Sequence, residues 1–269
     1  MVEQRIRESL MEIVREIGDY QLSRFGNVTE TISKGLFDYA TDVDIACQEI
    51  GIERFREKHI PYCVVSEELT ELVNLGDRGV LYFDPLEGTH NFLRGRKESG
   101  FGTTIGIVEQ NRLNYVVFYN ALTKELYEGE KGYGAYVYAD EQKKSLHVSN
   151  PTDRLDIGFN HWYDACNAGA YLDKLCSLTD CTPTSASDAI DLVWVARGSL
   201  DGLVFIYECA AVHDMMTALL IEEAGGIVTD LKGNPWRTVD NEGFSETKNG
   251  MIAGNPHTHQ LLLELYRSL

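Results

Sequence analysis

The sequence predicts a layered α/β fold in two lobes, an α+β lobe over residues 1–148 and an α/β lobe over residues 149–269. Three observations predict it. The chain opens with helical periodicity, continues with closely spaced apolar runs of strand composition, and alternates helix and strand patterns from about residue 156 onward. No Pro/Gly/Ser-rich linker separates the two halves, so the lobes should share an interface.

Two amphipathic helices are predicted near the N-terminus. Apolar residues recur at helical spacing and place the first helix over residues 3–20. These residues are Ile6, Leu10, Ile13, Val14 and Ile17. The second helix is expected from about Thr41 to about Lys58. Both should pack their apolar faces on a common core.

Two short apolar runs predict buried strands that end in acidic residues. The first run, residues 62–65, leads into Ser66, Glu67 and Glu68. The second run, residues 80–83, is expected to stop at Asp84-Pro85, because proline cannot donate to a strand ladder. Carboxylates therefore gather at the ends of two strands.

The remaining elements follow from the same patterns. A short helix is expected after Gly88, and three strand-like stretches between residues 103 and 138 predict an antiparallel meander. In the second lobe, residues 190–208 predict one helix and one strand. A further helix is expected from His213 to the paired glycines Gly225-Gly226, followed by two strands and a C-terminal helix.

Composition narrows the classes of partner. Forty-two Asp and Glu against 24 Lys and Arg give a net charge of -18, which repels nucleic acid and anionic membranes at long range. A small anionic substrate remains compatible if bound divalent cations reverse the local field. Six cysteines without a C-x-x-C pair, and an N-terminus without an apolar stretch, predict a cytoplasmic protein with reduced thiols and no membrane span.

The stretch from Asp84 to Phe92 is the most informative motif. It places two carboxylates, a hydroxyl and a tight turn directly after an apolar strand. Oxygen ligands of this kind suit magnesium, which prefers octahedral oxygen coordination and retains several waters. Taken alone, such a segment is more often a charged surface turn, so its interpretation depends on the rest of the chain.

The chain as a whole resembles the inositol monophosphatase family, part of a larger group of lithium-sensitive, magnesium-dependent phosphatases that includes archaeal-type fructose-1,6-bisphosphatases. Five motifs of that family occur in order: Val65-Ser66-Glu67-Glu68, Asp84 to Phe92, Lys131-Gly132-Tyr133-Gly134-Ala135, Ser187 to Leu192, and His213-Asp214 through Glu223 to Gly226. The resemblance implies an αβαβα sandwich of the sugar phosphatase type.

The resemblance also implies the site residues. Two or three magnesium ions would be held by Glu67, Asp84, the backbone carbonyl of Leu86, Glu87 and Asp214. Glu67, Asp44 and Thr89 would orient the attacking water or take its proton. Substrate contacts would come from Gly88, Thr89, Ser187, Asp188 and Glu208. The reaction so implied is hydrolysis of a phosphate monoester by metal-activated water.

Two assignments upstream of the motif stay open. Asp42 competes with Asp44 for the water-orienting role, since Thr41-Asp42 also resembles the family pattern, although the interval from Asp44 to Glu67 fits better. Lys34 lies in a loop that closes over the site in relatives. It is either a contact for a third ion or the phosphate, or an exposed loop lysine.

The sequence departs from the family pattern at three positions. Glu87 stands where the family has Asp, and its extra methylene shifts the carboxylate by about one C–C bond at a tight octahedral ion. His213 replaces the usual Trp, which implies a more polar pocket wall. Asp188 stands where a small residue is common, and a carboxylate there would bind hydroxyls and reject a second phosphate.

The expected function is hydrolysis of a phosphate monoester of a small polyol or sugar, with myo-inositol monophosphate as the default substrate. Alternatives are a fructose-1,6-bisphosphatase or sugar-acid phosphatase of the same family, and a catalytically weak regulatory homologue that binds sugar phosphates. A nuclease would need a long basic track, and the dense basic region from Arg94 to Lys97 is short. The resemblance further implies a homodimer.

Overall fold

The computed structural model describes residues 1–35, 38–140, 142–150, 154–161, 168–183, 187–206, 215–236 and 250–268. These residues form an eight-stranded sheet, a five-stranded sheet, a separate two-stranded hairpin and the helices that cover the two sheets. No helix within these ranges is both long and apolar enough to cross a membrane.

The first two helices form an outer layer. Helix α1 spans Gln4–Arg24 and α2 spans Asp42–Glu57, and a hairpin of β1 (Thr31–Gly35) and β2 (Asp38–Thr41) connects them. The apolar stripe of α1 is buried, as its spacing predicts. The prediction that α1 ends at residue 20 is wrong. The helix continues to Arg24, and Gln21 in this last stretch is buried and hydrogen-bonded, so the buried face of α1 extends beyond its last apolar residue, Ile17.

The eight-stranded sheet lies within the predicted first lobe. Its strands are β3 (Cys63–Ser66), β4 (Val73–Asn74), β5 (Val80–Glu87), β6 (Gly102–Glu109), β7 (Arg112–Asn120), β8 (Glu125–Glu130), β9 (Gly134–Ala139) and β10 (Gln142–Ser145). They lie in the order β10-β9-β8-β7-β6-β5-β3-β4, and only β3 and β5 run parallel. The predicted antiparallel meander is therefore confirmed. Helix α3 (Thr89–Arg94) follows β5.

The predicted stop at Asp84-Pro85 is wrong, because β5 continues through the proline to Glu87. Asp84 pairs with Thr104 and Glu87 pairs with Gly102, so Pro85 and Leu86 together oppose the single residue Thr103. This extra residue makes a β-bulge. Proline is tolerated there because a bulged residue does not need to donate to the ladder.

The five-stranded sheet and the remaining helices lie within the predicted second lobe. In chain order they are β11 (Asp156–His161), α4 (Ala168–Leu178), β12 (Asp180–Pro183), α5 (Asp188–Ala196), β13 (Gly202–Ile206), α6 (Ala218–Glu223), β14 (Ile227–Asp230), β15 (Met251–Gly254) and α7 (Pro256–Arg267). The strand order is β12-β11-β13-β15-β14, with β12, β11 and β13 parallel. The helix expected from His213 begins only at Ala218 within the described residues.

Three apolar cores hold these elements in five layers. The first core joins α1 and α2 to one face of the large sheet. The second buries α5 and α6 between the large and small sheets. The third joins the outer face of the small sheet to α4 and α7. The αβαβα sandwich is confirmed, while the lobe boundary at residue 148 stays a prediction.

Candidate metal and phosphate site

Asp44 is fixed by the way α2 begins. Thr41 is the N-cap residue, and its hydroxyl accepts hydrogen bonds from the backbone N–H groups of Val43 and Asp44. In return, the Asp44 carboxylate accepts from the Thr41 backbone N–H at 2.8 Å and from the Thr41 hydroxyl. This reciprocal capping box holds a fully buried carboxylate in one orientation.

Thr89 joins that carboxylate to the end of β5. Its Oγ1 lies 3.0 Å from Asp44 Oδ1 and 2.9 Å from the Leu86 carbonyl oxygen. The close approach depends on Gly88, which adopts a left-handed backbone conformation with φ of 80° before α3 begins. The structure therefore brings together three predicted site residues from three elements, α2, β5 and α3.

Asp42 has different partners from Asp44. Its carboxylate accepts from Arg24 at 2.7 Å and from the Thr29 hydroxyl at 2.5 Å. Burial opposes ionisation, but hydrogen bonds from Thr29, Arg24 and the Glu30 backbone lower the pKa of Asp42 to about 2. These contacts anchor the segment before β1 to α1 and α2. The geometry thus favours Asp44 as the carboxylate that acts with Thr89.

The bulge in β5 presents the next group of predicted ligands. Asp84 and Glu87 are 2% and 5% exposed. Asp84 Oδ1 accepts from the Leu86 backbone N–H at 3.0 Å, which fixes the carboxylate against the bulge. Glu87 Oε1 accepts from the Ser187 hydroxyl at 2.8 Å. Because Ser187 caps α5, this contact reaches from the large sheet to a helix of the second lobe.

Glu67 and Glu68 extend the acidic surface at the end of β3. Ser66 pairs with Phe83, and the Glu67 N–H donates to the Phe83 carbonyl at 3.2 Å, so Glu67 lies beside the Asp84 end of β5. Lys34 Nζ lies 2.6 Å from Glu67 Oε1 and 2.5 Å from Glu68 Oε1. Lys34 is exposed, as one of its two alternatives predicts, but it lies in β1 and is ion-paired with both glutamates. Its role toward a third ion or the phosphate stays a prediction.

We define Asp44, Glu67, Glu68, Asp84 and Glu87 as the carboxylate cluster. Burial, together with the nearby charge of Glu67, raises the pKa of Asp44 to about 6, although hydrogen bonds from Thr41 oppose the shift. The same two causes raise the pKa of Glu68 to about 7, against a hydrogen bond from Lys34. Burial disfavours a charged Lys34, but the two glutamates outweigh it and raise its pKa.

Two of the predicted substrate contacts, Ser187 and Asp188, lie at the start of α5. Asp188 begins α5, and its Oδ1 accepts from Asn160 Nδ2 at 3.1 Å near the end of β11. Ser187 contacts Glu87 as described above. The other predicted residues of this lobe, Glu208, His213 and Asp214, lie outside the described residues.

The donor set suits magnesium in chemistry, although the described ranges contain only part of it. Within these ranges, no three Asp, Glu, His or Cys side chains are grouped closely enough to hold a metal ion. The predicted ligands are all oxygens, and three of them are buried or half-buried carboxylates on adjoining strand ends. Completing the set would require the predicted ligand Asp214.

Gln21 is a site-adjacent residue that the sequence analysis missed. Its side chain is fully buried, and Nε2 contacts the bulge of β5. The sequence does indicate that Gln21 is buried, since it continues the i, i+4 series of buried positions Ile13 and Ile17. A polar residue on an apolar stripe implies a buried partner, but not which one.

The five alternating layers define a sandwich of the sugar phosphatase type. The chain belongs to the inositol monophosphatase family, whose sequence model matches residues 3–269. A Nus factor SuhB of Xylella fastidiosa is 30% identical over 260 residues, covering 91% of this chain and 88% of that protein. An inositol-1-monophosphatase of Rhizobium meliloti is 28% identical over 262 residues, covering 95% and 94%.

A solved structure supports the same assignment. The crystal structure of extragenic suppressor protein suhB from Bartonella henselae superposes with a TM-score of 0.83 at 25% identity, covering 97% of this chain and 98% of that one. Since the matches span nearly the whole of each chain, the similarity includes both the eight-stranded and the five-stranded sheet.

Proposed function

We propose that this protein hydrolyses a phosphate monoester of a small polyol or sugar in a magnesium-dependent reaction. The observation that carries the proposal is the Thr89 hydroxyl placed between the Asp44 carboxylate and the Leu86 carbonyl. It unites a buried acid, a hydroxyl and a predicted metal-ligand carbonyl at one point. A structural capping role would account for Thr41 and Asp44, but not for the approach of Thr89 from another element.

Magnesium would be held by the oxygen ligands of the first lobe together with Asp214. These are Glu67, Asp84, the Leu86 carbonyl and Glu87, and two or three ions are proposed. When bound, the ions would neutralise the phosphate and lower the pKa of a water molecule. A chain with a net charge of -18 needs such help to attract an anionic substrate.

Asp44 and Thr89 would orient the attacking water. As a carboxylate, Asp44 accepts a hydrogen bond from the Thr89 hydroxyl, which leaves a lone pair of Oγ1 to accept from a water molecule. Glu67 would orient the same water or take its proton. With a pKa of about 6, Asp44 is mainly ionised at neutral pH, as this role requires.

Substrate would bind between the metal site and the second lobe. Backbone N–H groups near Gly88 and Thr89 are the proposed phosphate contacts. Ser187, Asp188 and Glu208 are the proposed contacts for the polyol or sugar. Because Asp188 would repel a second phosphate, we favour a monophosphate such as myo-inositol monophosphate or a sugar-acid phosphate over fructose-1,6-bisphosphate.

A regulatory role is the second candidate. It is motivated by Glu87, which departs from the family's usual ligand, and by the Nus factor name of the Xylella relative. A regulatory homologue would bind a sugar phosphate with little or no turnover. In either role we propose a homodimer, by family resemblance, and a cytoplasmic location, from the cysteine pattern and the charged N-terminus. The net charge of -18 argues against a nucleic acid or membrane partner.

The test is phosphate release by the purified protein across a panel of polyol and sugar phosphates, with magnesium or with excess chelator. Thr89→Val is the matched control, because valine keeps the shape of threonine and removes the hydroxyl. We expect magnesium-dependent release from at least one monophosphate and its loss in Thr89→Val. Equal turnover by both proteins would refute the proposed role of Thr89, and binding without turnover would favour the regulatory candidate.

A further inference from the structure

We propose that Gln21 is a positioning residue for the metal site, acting through the backbone of the β5 bulge. The inference rests on the proposed function, because it concerns the metal ligands named there. Gln21 lies on α1, in the outer helical layer, and would not touch an ion or a substrate. Its effect would be to hold the bulge in the conformation that presents Asp84, Leu86 and Glu87.

The contacts of Gln21 converge on the bulge. Nε2 lies 2.8 Å from the Pro85 carbonyl oxygen, 2.9 Å from the Gly102 carbonyl oxygen and 2.9 Å from Thr103 Oγ1. Two of these acceptors are backbone carbonyls, one on each of the two strands where the β5–β6 register shifts. Thr103 Oγ1 is also 3.2 Å from the Pro85 carbonyl oxygen, so the Gln21 amide, the Thr103 hydroxyl and the two carbonyls form one buried network.

The local backbone explains why a donor is needed there. A bulge disrupts the ladder and leaves carbonyl groups without their usual partners. Gln21 and Thr103 are both fully buried. A buried carbonyl without a donor is costly, so the amide of Gln21 selects the bulge conformation in which Pro85 and Gly102 both point toward it.

The orientation of the Pro85 peptide bears directly on the predicted ligands. Asp84 precedes Pro85 and accepts a hydrogen bond from the Leu86 N–H, and the Leu86 carbonyl lies next to Thr89. A change in the Pro85 carbonyl direction would move both neighbours. Since the amide is neutral, its removal leaves the charge of the site unchanged, and any effect on metal binding must come from geometry.

The test measures metal binding directly rather than turnover. Gln21→Met keeps the length and approximate volume of the side chain and removes the donor. Mn²⁺ takes the same oxygen ligands as magnesium and can be titrated into the protein without substrate by calorimetry. We expect Gln21→Met to bind Mn²⁺ about 10- to 100-fold more weakly than the wild type, as is typical for supporting residues of metal ligands.

A matched control separates positioning from general stability. Tyr171→Phe removes another buried donor to a backbone carbonyl, the 3.0 Å bond to Leu262, in the layer farthest from the site. Both variants should lower the melting temperature in excess chelator, but only Gln21→Met should weaken Mn²⁺ binding. Mn²⁺ affinity of Gln21→Met within about twofold of the wild type would overturn the inference.

A second variant keeps the test decisive if Gln21→Met does not fold. Thr103→Val removes one oxygen of the network and should weaken Mn²⁺ binding in the same direction by a smaller factor. Unchanged affinity in Thr103→Val would then overturn the inference. If the wild type itself binds no Mn²⁺, the proposed metal site fails and this inference fails with it. Metal binding by the wild type without phosphate release would contradict only the proposed activity.

Discussion

Replacing Glu87 with aspartate would show whether the longer side chain belongs to a working metal site. Glu87 Oε1 accepts from the Ser187 hydroxyl at 2.8 Å, across the contact between the large sheet and α5. Removing one methylene draws the carboxylate back by about 1.5 Å. The contact would lengthen to about 4 Å, beyond hydrogen-bonding distance. Glu87→Asp should therefore lose both the Ser187 contact and its reach toward a metal ion.

The size of the effect follows from this contact. A hydrogen bond to a charged group contributes about 1.5–3 kcal/mol, so the free energy of unfolding in excess chelator should fall by about 1–2 kcal/mol after partial relaxation. A loss of about 1.4 kcal/mol in metal binding corresponds to a tenfold change in affinity. Urea unfolding in chelator and magnesium titration of phosphate release measure the two effects separately.

Ser187→Ala is the control for Glu87→Asp. It removes the same hydrogen bond and the N-cap of α5, which costs about 0.5–2 kcal/mol, but it leaves the reach of Glu87 intact. Its magnesium requirement should rise less than that of Glu87→Asp. Higher activity or a lower magnesium requirement in Glu87→Asp would refute the reasoning, because glutamate would then be a defect in the site and the regulatory candidate would gain support.

Three further predictions concern the metal and the two lobes. Excess chelator should abolish phosphate release and magnesium should restore it. Calcium should be a poor substitute or an inhibitor, because magnesium demands a tighter octahedral coordination. Undiminished turnover in chelator would exclude the mechanism. Asp214→Asn should remove most activity. Its melting temperature without metal should be unchanged or slightly higher, since one of several clustered negative charges is lost. Wild-type turnover in this variant would exclude Asp214 from the site. Asp44→Asn should lower kcat about 100-fold or more, whereas Asp42→Asn should lower the melting temperature and retain turnover. The opposite pattern would assign the water-orienting role to Asp42 and the structural role to Asp44.

The pattern of apolar residues was sufficient for most of the architecture. The stripe on α1, the meander from β6 to β9 and the alternation in the second lobe follow from periodicity, because burial of one face is a local requirement of each element. The order of the motifs was sufficient for the family, which the match over residues 3–269 confirms. The sequence also predicted acids at the ends of neighbouring strands. Glu67 does follow β3, whereas Asp84 lies within β5 at the bulge and Glu87 ends that strand.

Tertiary structure alone decided how the site is supported. Thr41-Asp42-Val43-Asp44 offers two carboxylates of the same kind, and only the turn into α2 directs Asp44 to Thr89 and Asp42 to Arg24. The proline rule predicted a strand end at Pro85, yet a bulge accommodates the residue because its neighbours in space supply the donors. Gln21 is 64 residues from Pro85 in the chain. Such partnerships depend on the packing of whole layers, and local sequence carries no record of which buried donor meets which carbonyl.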